Sequence, residues 1–518
     1  METIYDGYYF NFATRRNLKY NLRQLESIIF IYMSSYPYSI DNIRQVLNEL
    51  NITGKMKREW LRLSKDEYYF DLYEARREYN EKRKEYHKKE KEEPDDLPVL
   101  KELLKQKKKD IEDITDEIVE DIFTAINRRD ARIKYTEHLD EPKKPLFEVV
   151  DRDSYFICKL IMKELNKVYK VKTFSRDSIM SDLSMILKDP CDKTIIRTDV
   201  KSFFESIPRD VLLNKIEQDG IICSKTVKIL KRLDYDLTND TNPYKGVPRG
   251  LSFASVLSEI YLREVDRRIN KIKGLYFYRR FVDDIVIVAY NNGTKNNPID
   301  LFNQIAIFFE KKRLSLHRES DHDGKYYCTS VFYGKEGDAD FNYLGYHIRL
   351  ENNGNISFSL SNDKFQRYIE SIDRILSFYA DHAFIKPKAR QKGEKCSKCR
   401  HSQPIYKLYV SLNFLTRNYR LSGKKTDVKS GIFFKHRQLT NLSQLRQLDE
   451  YLYEEVKKYI TPKRILCNKD IPKDFCDNIA KKIKDNYSFE NGFSERRMCY
   501  LSSSDIKSAK WILKYDKI

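Results

Sequence analysis

The sequence predicts an α+β protein: an antiparallel sheet in the middle of the chain, with acidic residues at its strand ends, between two long helical flanks. Three observations predict it. Residues 278–288 place an apolar or β-branched run on each side of Asp283-Asp284, which reads as a β-hairpin with the acids at its turn. Residues 193–208 read as an apolar strand that ends at Asp199, followed by a turn and a helix. The stretches before about residue 127 and after about residue 355 repeat apolar residues at the three- to four-residue steps of a helix.

Composition bounds the function. A chain of 518 residues has room for about three domain-sized cores. Hydrophobic residues at 41% support a globular protein, and no apolar run approaches the ~18–20 residues of a membrane span, so no membrane partner is expected. The start of the sequence (Met1, Glu2, Thr3, Ile4, Tyr5, Asp6) is acidic and polar, unlike a signal peptide, and nine scattered cysteines suit a reducing compartment. The expected location is the cytoplasm. A net charge of +19 points to a polyanionic partner, most simply nucleic acid, although a Lys-, Asn-, Ile- and Tyr-rich composition is also what an AT-rich genome encodes.

In chain order, an apolar run near Ile28–Met33 precedes Ile43, Leu47 and Leu50 at helical spacing, and Lys55–Arg62 is strongly basic. Asp66–Glu93 is a solvated run of Tyr, Arg, Lys and Glu. Asp96 is placed to cap a second helix with Pro98 in its first turn, its stripe formed by Leu100, Leu104, Ile111, Ile114, Ile118 and Ile122. Basic residues then punctuate short elements: Arg128, Arg129, Arg132, Lys134, Lys143, Lys144, Arg152 and Arg176, with a turn at 141–145 and a helix from Asp153 to Tyr169. Such residues ahead of a carboxylate site suit phosphate contacts. Arg132 and His138 also fall within the Arg-to-His spacing of some helical ribonucleases.

Asp199, Asp283 and Asp284 form the chemical centre. Adjacent like charges between buried strands disfavour each other's ionisation, and a divalent cation relieves that cost. A two-metal phosphoryl-transfer site needs acids from separate strand ends around ions ~3.5–4 Å apart. Mg²⁺ prefers one or two carboxylates together with water and substrate phosphate. Asp199 and Asp283 supply that minimum, and a main-chain carbonyl near Val200 adds an oxygen.

These residues carry a family resemblance. Residues 198–204 (Thr-Asp-Val-Lys-Ser-Phe-Phe) resemble motif A of reverse transcriptases, and Phe281-Val282-Asp283-Asp284 resembles motif C. Residues 246–262 are similar to motif B, a turn opening a helix, and 341–348 (Phe-Asn-Tyr-Leu-Gly-Tyr-His-Ile) to motif E. The resemblance covers roughly residues 130–350. It implies a right-hand polymerase with an antiparallel palm sheet. The expected division is a helical N-terminal extension (1–127), fingers (128–198, with 209–245 partly a fingers/palm insertion), palm (199–354) and an α-helical thumb and C-terminal domain (355–518).

The resemblance also implies roles. Asp199 and Asp283, with the Val200 carbonyl, would hold two Mg²⁺ ions, Mn²⁺ being the alternative, and Asp284 would shape their surroundings. Phe204, five residues after Asp199 and beside Phe203, would block a 2′-hydroxyl and select dNTPs, although it could instead be a core ring. Arg249, Gly250, Arg152 and Arg176 are candidates for nucleotide or template contact, with Gly250 letting the backbone approach the template–nucleotide pair. Leu344, Gly345 and Tyr346 would grip the primer end. Arg249 stands where the family usually has Gln, and Ala254-Ser255 where it has Ser-Pro. The motif D lysine is not clear: Leu314–His317 fits the strand, and the nearest candidate, Lys325, comes several residues late.

The long helical tail and Arg249 look like those of bacterial abortive-infection and other defence-associated reverse transcriptases. That likeness implies an antiphage RNA-directed DNA polymerase associated with a noncoding RNA, primed from a protein hydroxyl and assembled as a trimer or hexamer. Template-independent protein-primed synthesis, retron-like priming from a nucleic-acid end and an inactive RNA-binding scaffold are the alternatives. Among 37 tyrosines, the terminal Tyr515, Tyr8, Tyr9 and Tyr5 are the primer candidates. Cys396, Cys399 and His401 supply part of a zinc site on a basic loop, without a second cysteine pair nearby.

Overall fold

The computed structural model describes residues 36–52, 67–92, 97–140, 144–240, 242–291, 298–382, 404–421, 429–461 and 473–514. The candidate primers Tyr5, Tyr8, Tyr9 and Tyr515, the basic run Lys55–Arg62 and the Cys396, Cys399 and His401 group lie outside them. The described residues divide into two units: one takes those up to 171 together with Pro208–Ile260, the other Lys172–Ile207 and those from 261 onward.

In the first unit the helical period expected from the sequence is realised. Ile43 and Leu47 on the helix Ile40–Ile52 are fully buried, as are Ile118, Val119, Ile122 and Ile126 on the helix Leu97–Ile126. The charged stretch forms the helix Glu67–Glu92, which runs beside Leu97–Ile126, with Lys107 Nζ 2.6 Å from Glu78. The helix Arg152–Tyr169 starts one residue earlier than expected because the Asp151 carboxylate accepts from the Ser154 N–H. Strands β1 (Tyr135–Asp140) and β2 (Lys144–Val149) form an antiparallel hairpin, so His138 sits on a strand and the Arg132–His138 spacing is not a helical one. Glu164 is buried but satisfied: it accepts from the Cys223 N–H at 2.6 Å and from the Thr226 hydroxyl, which also bonds the Tyr38 hydroxyl.

The second unit holds the central sheet, in the order β4-β5-β3-β6 and antiparallel throughout. β3 (Lys193–Asp199) lies inside it, between β5 (Asp284–Tyr290) and β6 (Tyr327–Val331), with β4 (Leu275–Phe281) outermost. β5 reads as a continuous apolar run from Ile285 to Ala289, whereas β3 is apolar only at Ile195 and Ile196; Ile195, Ile196, Val286, Ile287 and Val288 are fully enclosed. A second antiparallel sheet of β7 (Ala339–Tyr343), β8 (Tyr346–Leu350) and β9 (Ile356–Leu360) packs into the same core. That core continues through Ile372 and Leu376 of the helix Asn362–His382 to Leu408 and Leu448.

Two features depart from the expected division. The strand 193–199, expected in the fingers, belongs to the same unit as the acids and the C-terminal helices, because it is the inner strand of their sheet. The C-terminal region is also not purely helical: β10 (Asn418–Leu421), β11 (Lys429–Gly431) and β12 (Met498–Leu501) form a sheet in which β10 and β12 run parallel. A parallel pair joins strands far apart in sequence, so local patterning does not announce it.

Candidate active site

The three acids meet where β3 ends. Asp199 is the last residue of β3 and pairs across the ladder with Asp284, the first of β5. Val282 and Asp283 form the two-residue turn from β4 to β5, so Asp283 occupies the turn itself and Asp284 the strand. Only the first of the two central residues, Val282, has positive φ (+61°), the sign pattern of a type II′ turn, where glycine is the usual occupant. A β-branched residue there is strained, typically by about 1–3 kcal/mol. Hydrogen bonds on both sides hold it. Arg280 Nη1 donates to the Val282 carbonyl at 2.8 Å, with its guanidinium fixed by Asp266, and the Val200 N–H donates to the Asp283 carbonyl at 3.2 Å.

The electrostatics are those of an under-neutralised acid cluster. Burial, then the charges of Asp199 and Asp284, push the Asp283 carboxyl up to about 6. Burial also raises Asp284, against the opposing pull of Arg197, whose Nη2 lies 3.4 Å from Asp284 Oδ1. Asp199 Oδ2 accepts a salt bridge from Lys325 Nζ at 2.9 Å, while its Oδ1 is buried without a hydrogen-bond partner among the described residues. Burial pulls the Lys325 ammonium down, but its bond to Asp199 and the surrounding carboxylates outweigh this and hold it above its usual value.

This donor set fits a hard divalent cation: only oxygen ligands, a buried lone-pair atom with nothing to accept from, and repelling carboxylates. Among the described residues no group of three or more His, Cys, Asp or Glu encloses an ion by itself. The rest of a coordination shell would come from main-chain oxygen, water and substrate phosphate, as Mg²⁺ prefers.

The segment after residue 313 lies along the end of β3. Val200 bridges Leu316, the Lys201 N–H donates to the Ser315 carbonyl, and the His317 N–H donates to the Asp199 carbonyl at 2.9 Å. The lysine that came late in the sequence is thus brought onto Asp199. Arg197, absent from the expected site residues, carries a signal in the sequence: it is two residues before Asp199, hence on the same face of the strand.

The other expected residues divide by unit. Phe203 is buried, whereas Phe204 is half-buried and meets Phe203 edge-on with ring centres 5.1 Å apart, so Phe204 is not the core ring of the pair. Leu344 and Gly345 make the β7–β8 turn with φ of +46° and +76°, the signs of a type I′ turn, and Tyr346 begins β8 fully enclosed. Arg176 lies against this turn: its guanidinium stacks over the Tyr346 ring at 5.2 Å.

Arg152, Arg249 and Gly250 belong to the first unit. Arg152 is held by ion pairs to Asp121 and Asp153, at 2.6 and 3.1 Å. Gly250 has φ +106°, and a Cβ there would stand 2.3 Å from the Phe147 carbonyl oxygen. The Phe147 N–H in turn donates to the Arg249 carbonyl. The close approach that demands glycine is therefore to β2.

Residues 151–348 match the family described as reverse transcriptase (RNA-dependent DNA polymerase). That segment, less than half of the chain, is a reverse transcriptase domain. No curated protein matches the chain. Among solved structures it is similar to telomerase from Candida tropicalis in complex with a fragment of telomeric RNA (11% identity over 78% of this chain and 68% of that one, TM-score 0.33). It is also similar to telomerase from Candida albicans in complex with a fragment of telomeric RNA (13% identity, 74% and 64%, TM-score 0.30). A third is apo telomerase from Candida tropicalis truncated from its C-terminal domain (11% identity, 44% and 55%, TM-score 0.29). The chain spans less than two thirds of the length of these last two.

Proposed function

We propose that this reverse transcriptase domain makes DNA from dNTPs by two-metal phosphoryl transfer, with Asp199, Asp283 and the Val200 carbonyl as ligands and Asp284 orienting them. The observation that carries this reading is the meeting of the β3 end with the β4–β5 turn, which gathers acidic oxygens whose mutual repulsion a cation would relieve. Bound Mg²⁺, or Mn²⁺, would supply a lowered pKa for the attacking hydroxyl and neutralise charge on the triphosphate. The chain's own residues do the rest. Lys325 neutralises Asp199 when no ion is held there. The half-buried Phe204 ring is the surface that a ribose 2′-hydroxyl would meet, which favours deoxynucleotides. The Leu344–Gly345 turn offers main-chain groups to a primer end, and Arg249 replaces a neutral glutamine with a charge suited to phosphate.

The finer reading is a cytoplasmic enzyme of bacterial antiphage defence, of the abortive-infection kind, bound to a noncoding RNA, primed by one of its own tyrosines and working as a homo-oligomer. Arg249 and the long, mainly helical region after residue 355 support it, as does the +19 charge for the nucleic-acid partner. No helix among the described residues is long and apolar enough to cross a membrane.

The test is incorporation of labelled dNTPs by the purified protein with its copurifying nucleic acid. Asp283→Ala abolishes incorporation if the site is assigned correctly; synthesis that survives it removes the assignment. Label that stays on the protein after denaturation, and disappears in Tyr515→Phe, identifies the primer. Product that separates without proteolysis indicates a nucleic-acid primer instead.

A further inference from the structure

The longest helix among the described residues, Leu97–Ile126, carries its charge in two blocks. Residues 97–109 hold five lysines and one acid, and residues 110–126 hold seven acids and no lysine or arginine. This layout runs against the helix itself. A macrodipole favours acids near the N-terminus and bases near the C-terminus, yet the first turn here has no acid and the last turn no base. Partners within the unit account for only part of it: Asp116 pairs with Arg44 and Asp121 with Arg152. Asp113, Glu117 and Glu120 are exposed at i, i+4, i+7 spacing, and like the exposed Lys101 and Lys109 they make no ion pair among the described residues. Lys105 and Lys108 have only exposed neighbours on their own helix, Glu102 and Glu112, each at 3.5 Å. Such contacts leave the charges open to a partner.

The centres of the two blocks lie about 15 residues apart, roughly 22 Å along the axis. That is more than twice the ~8–10 Å screening length at physiological ionic strength, so each block shows its own sign to what approaches it. A nucleic-acid strand laid along the lysines would run into the acids. A second copy of the same helix, reversed, meets the opposite sign at every level. Reversal about Ile111, beside the change of sign, sets Lys105 of one copy opposite Glu117 of the other, and Lys109 opposite Asp113. Exposed apolar side chains occupy the same two zones. Val99, 73% exposed, and Leu103 stand in the basic block. Phe70, 54% exposed, and Tyr73 lie one to two turns before Glu78 on the neighbouring helix Glu67–Glu92. Because Glu78 is level with Lys107 and the short connection makes the two helices antiparallel, these rings stand beside the acid block. Reversed arms bring the apolar zones together and so supply what exposed ion pairs alone do not.

We propose that the helices Glu67–Glu92 and Leu97–Ile126 form a self-association arm, through which two copies of the chain pair antiparallel about a two-fold axis near Ile111, basic block against acid block. A contact of this kind is self-complementary by symmetry. It gives the homo-oligomer proposed above a surface and a symmetry, but it rests on the charge layout of the arm and not on the polymerase reading.

The test is sedimentation of the full-length protein over a range of concentration and salt, before and after nuclease treatment. Wild type self-associates, less tightly as salt rises. Reversing three lysines (Lys101→Glu, Lys105→Glu, Lys108→Glu) or three acids (Asp113→Lys, Glu117→Lys, Glu120→Lys) each weakens the pair about tenfold or more. Mixing the two variants restores it, because every contact is then remade with its signs exchanged. A variant that had merely failed to fold would not be rescued in this way. Association unchanged by either set of reversals, absence of rescue on mixing, or an assembly with an odd number of copies overturns the proposal. So does association that nuclease abolishes, which would assign the lysine block to nucleic acid. Asp283→Ala loses incorporation and keeps the pair, so failure of the arm and failure of the catalytic assignment are distinguishable.

Discussion

Replacing Asp283 by asparagine should stabilise the metal-free protein while disabling it. In the absence of a cation the Asp283 carboxyl is raised from 3.8 to about 6, chiefly by burial and then by its two acidic neighbours. A shift of about two units corresponds to roughly 3 kcal/mol of unfavourable charge at neutral pH. Water at this partly exposed group screens part of that, leaving about 1–2 kcal/mol, or roughly 3–6 °C in melting temperature.

The pH dependence has a definite sign. The folded protein holds this proton more tightly than the unfolded chain, so its contribution to stability is full below pH 3.8 and is lost as pH rises through about 6. The assay is thermal melting in EDTA from pH 4 to 8 for wild type and Asp283→Asn. The variant should melt higher at pH 7.5, with the difference vanishing toward pH 4. Mg²⁺ should raise wild type more than the variant. Equal melting temperatures at every pH, or a variant that melts lower at pH 7.5, would refute the claim that burial and its acidic neighbours make the Asp283 charge unfavourable in the folded protein.

Other outcomes follow from the same geometry. Phe204→Ala should raise ribonucleotide relative to deoxynucleotide incorporation by about 10-fold or more, measured as the ratio of kcat/KM values, since a lost ring removes a steric rejection of one hydroxyl. Gly250→Ala should destabilise the first unit by about 2–3 kcal/mol, read by urea unfolding, because a side chain there meets the Phe147 carbonyl at an unfavourable φ. His436, buried and held down at about 3 among Arg176, Lys364 and Lys435, binds fewer protons folded than unfolded. Its contribution is therefore present above pH 6.5 and lost as pH falls toward 3, and His436→Asn should flatten that acid limb in melting experiments.

How far the molecule was legible differs by residue. Asp199, Asp283 and Asp284 are readable because Asp199 ends a strand, Asp284 opens the apolar run of β5 and Asp283 lies in the tight turn between two strands. The stripe on the helix Leu97–Ile126 and the helix Asn362–His382 were readable from period alone. Gly250 in its motif suggests a close backbone approach to the template–nucleotide pair, but a sequence does not say what stands against a glycine, and the neighbour among the described residues is β2. The Lys325 contact was invisible because it closes across a loop with no regular spacing. Arg176 carried a charge that any phosphate role would explain, and only its stacking on Tyr346 distinguishes the turn it serves. His436 and Lys364 had no local signal, since their meeting joins segments more than 70 residues apart.

The most direct measurement is Mn²⁺ binding, followed by the electron paramagnetic resonance of the free ion, in the presence of a dNTP and without catalysis. Wild-type protein should take up Mn²⁺ in a dNTP-dependent manner, and Asp199→Asn combined with Asp283→Asn should abolish that uptake. Equal uptake by the double variant would contradict the assignment of these carboxylates as the ion-holding groups.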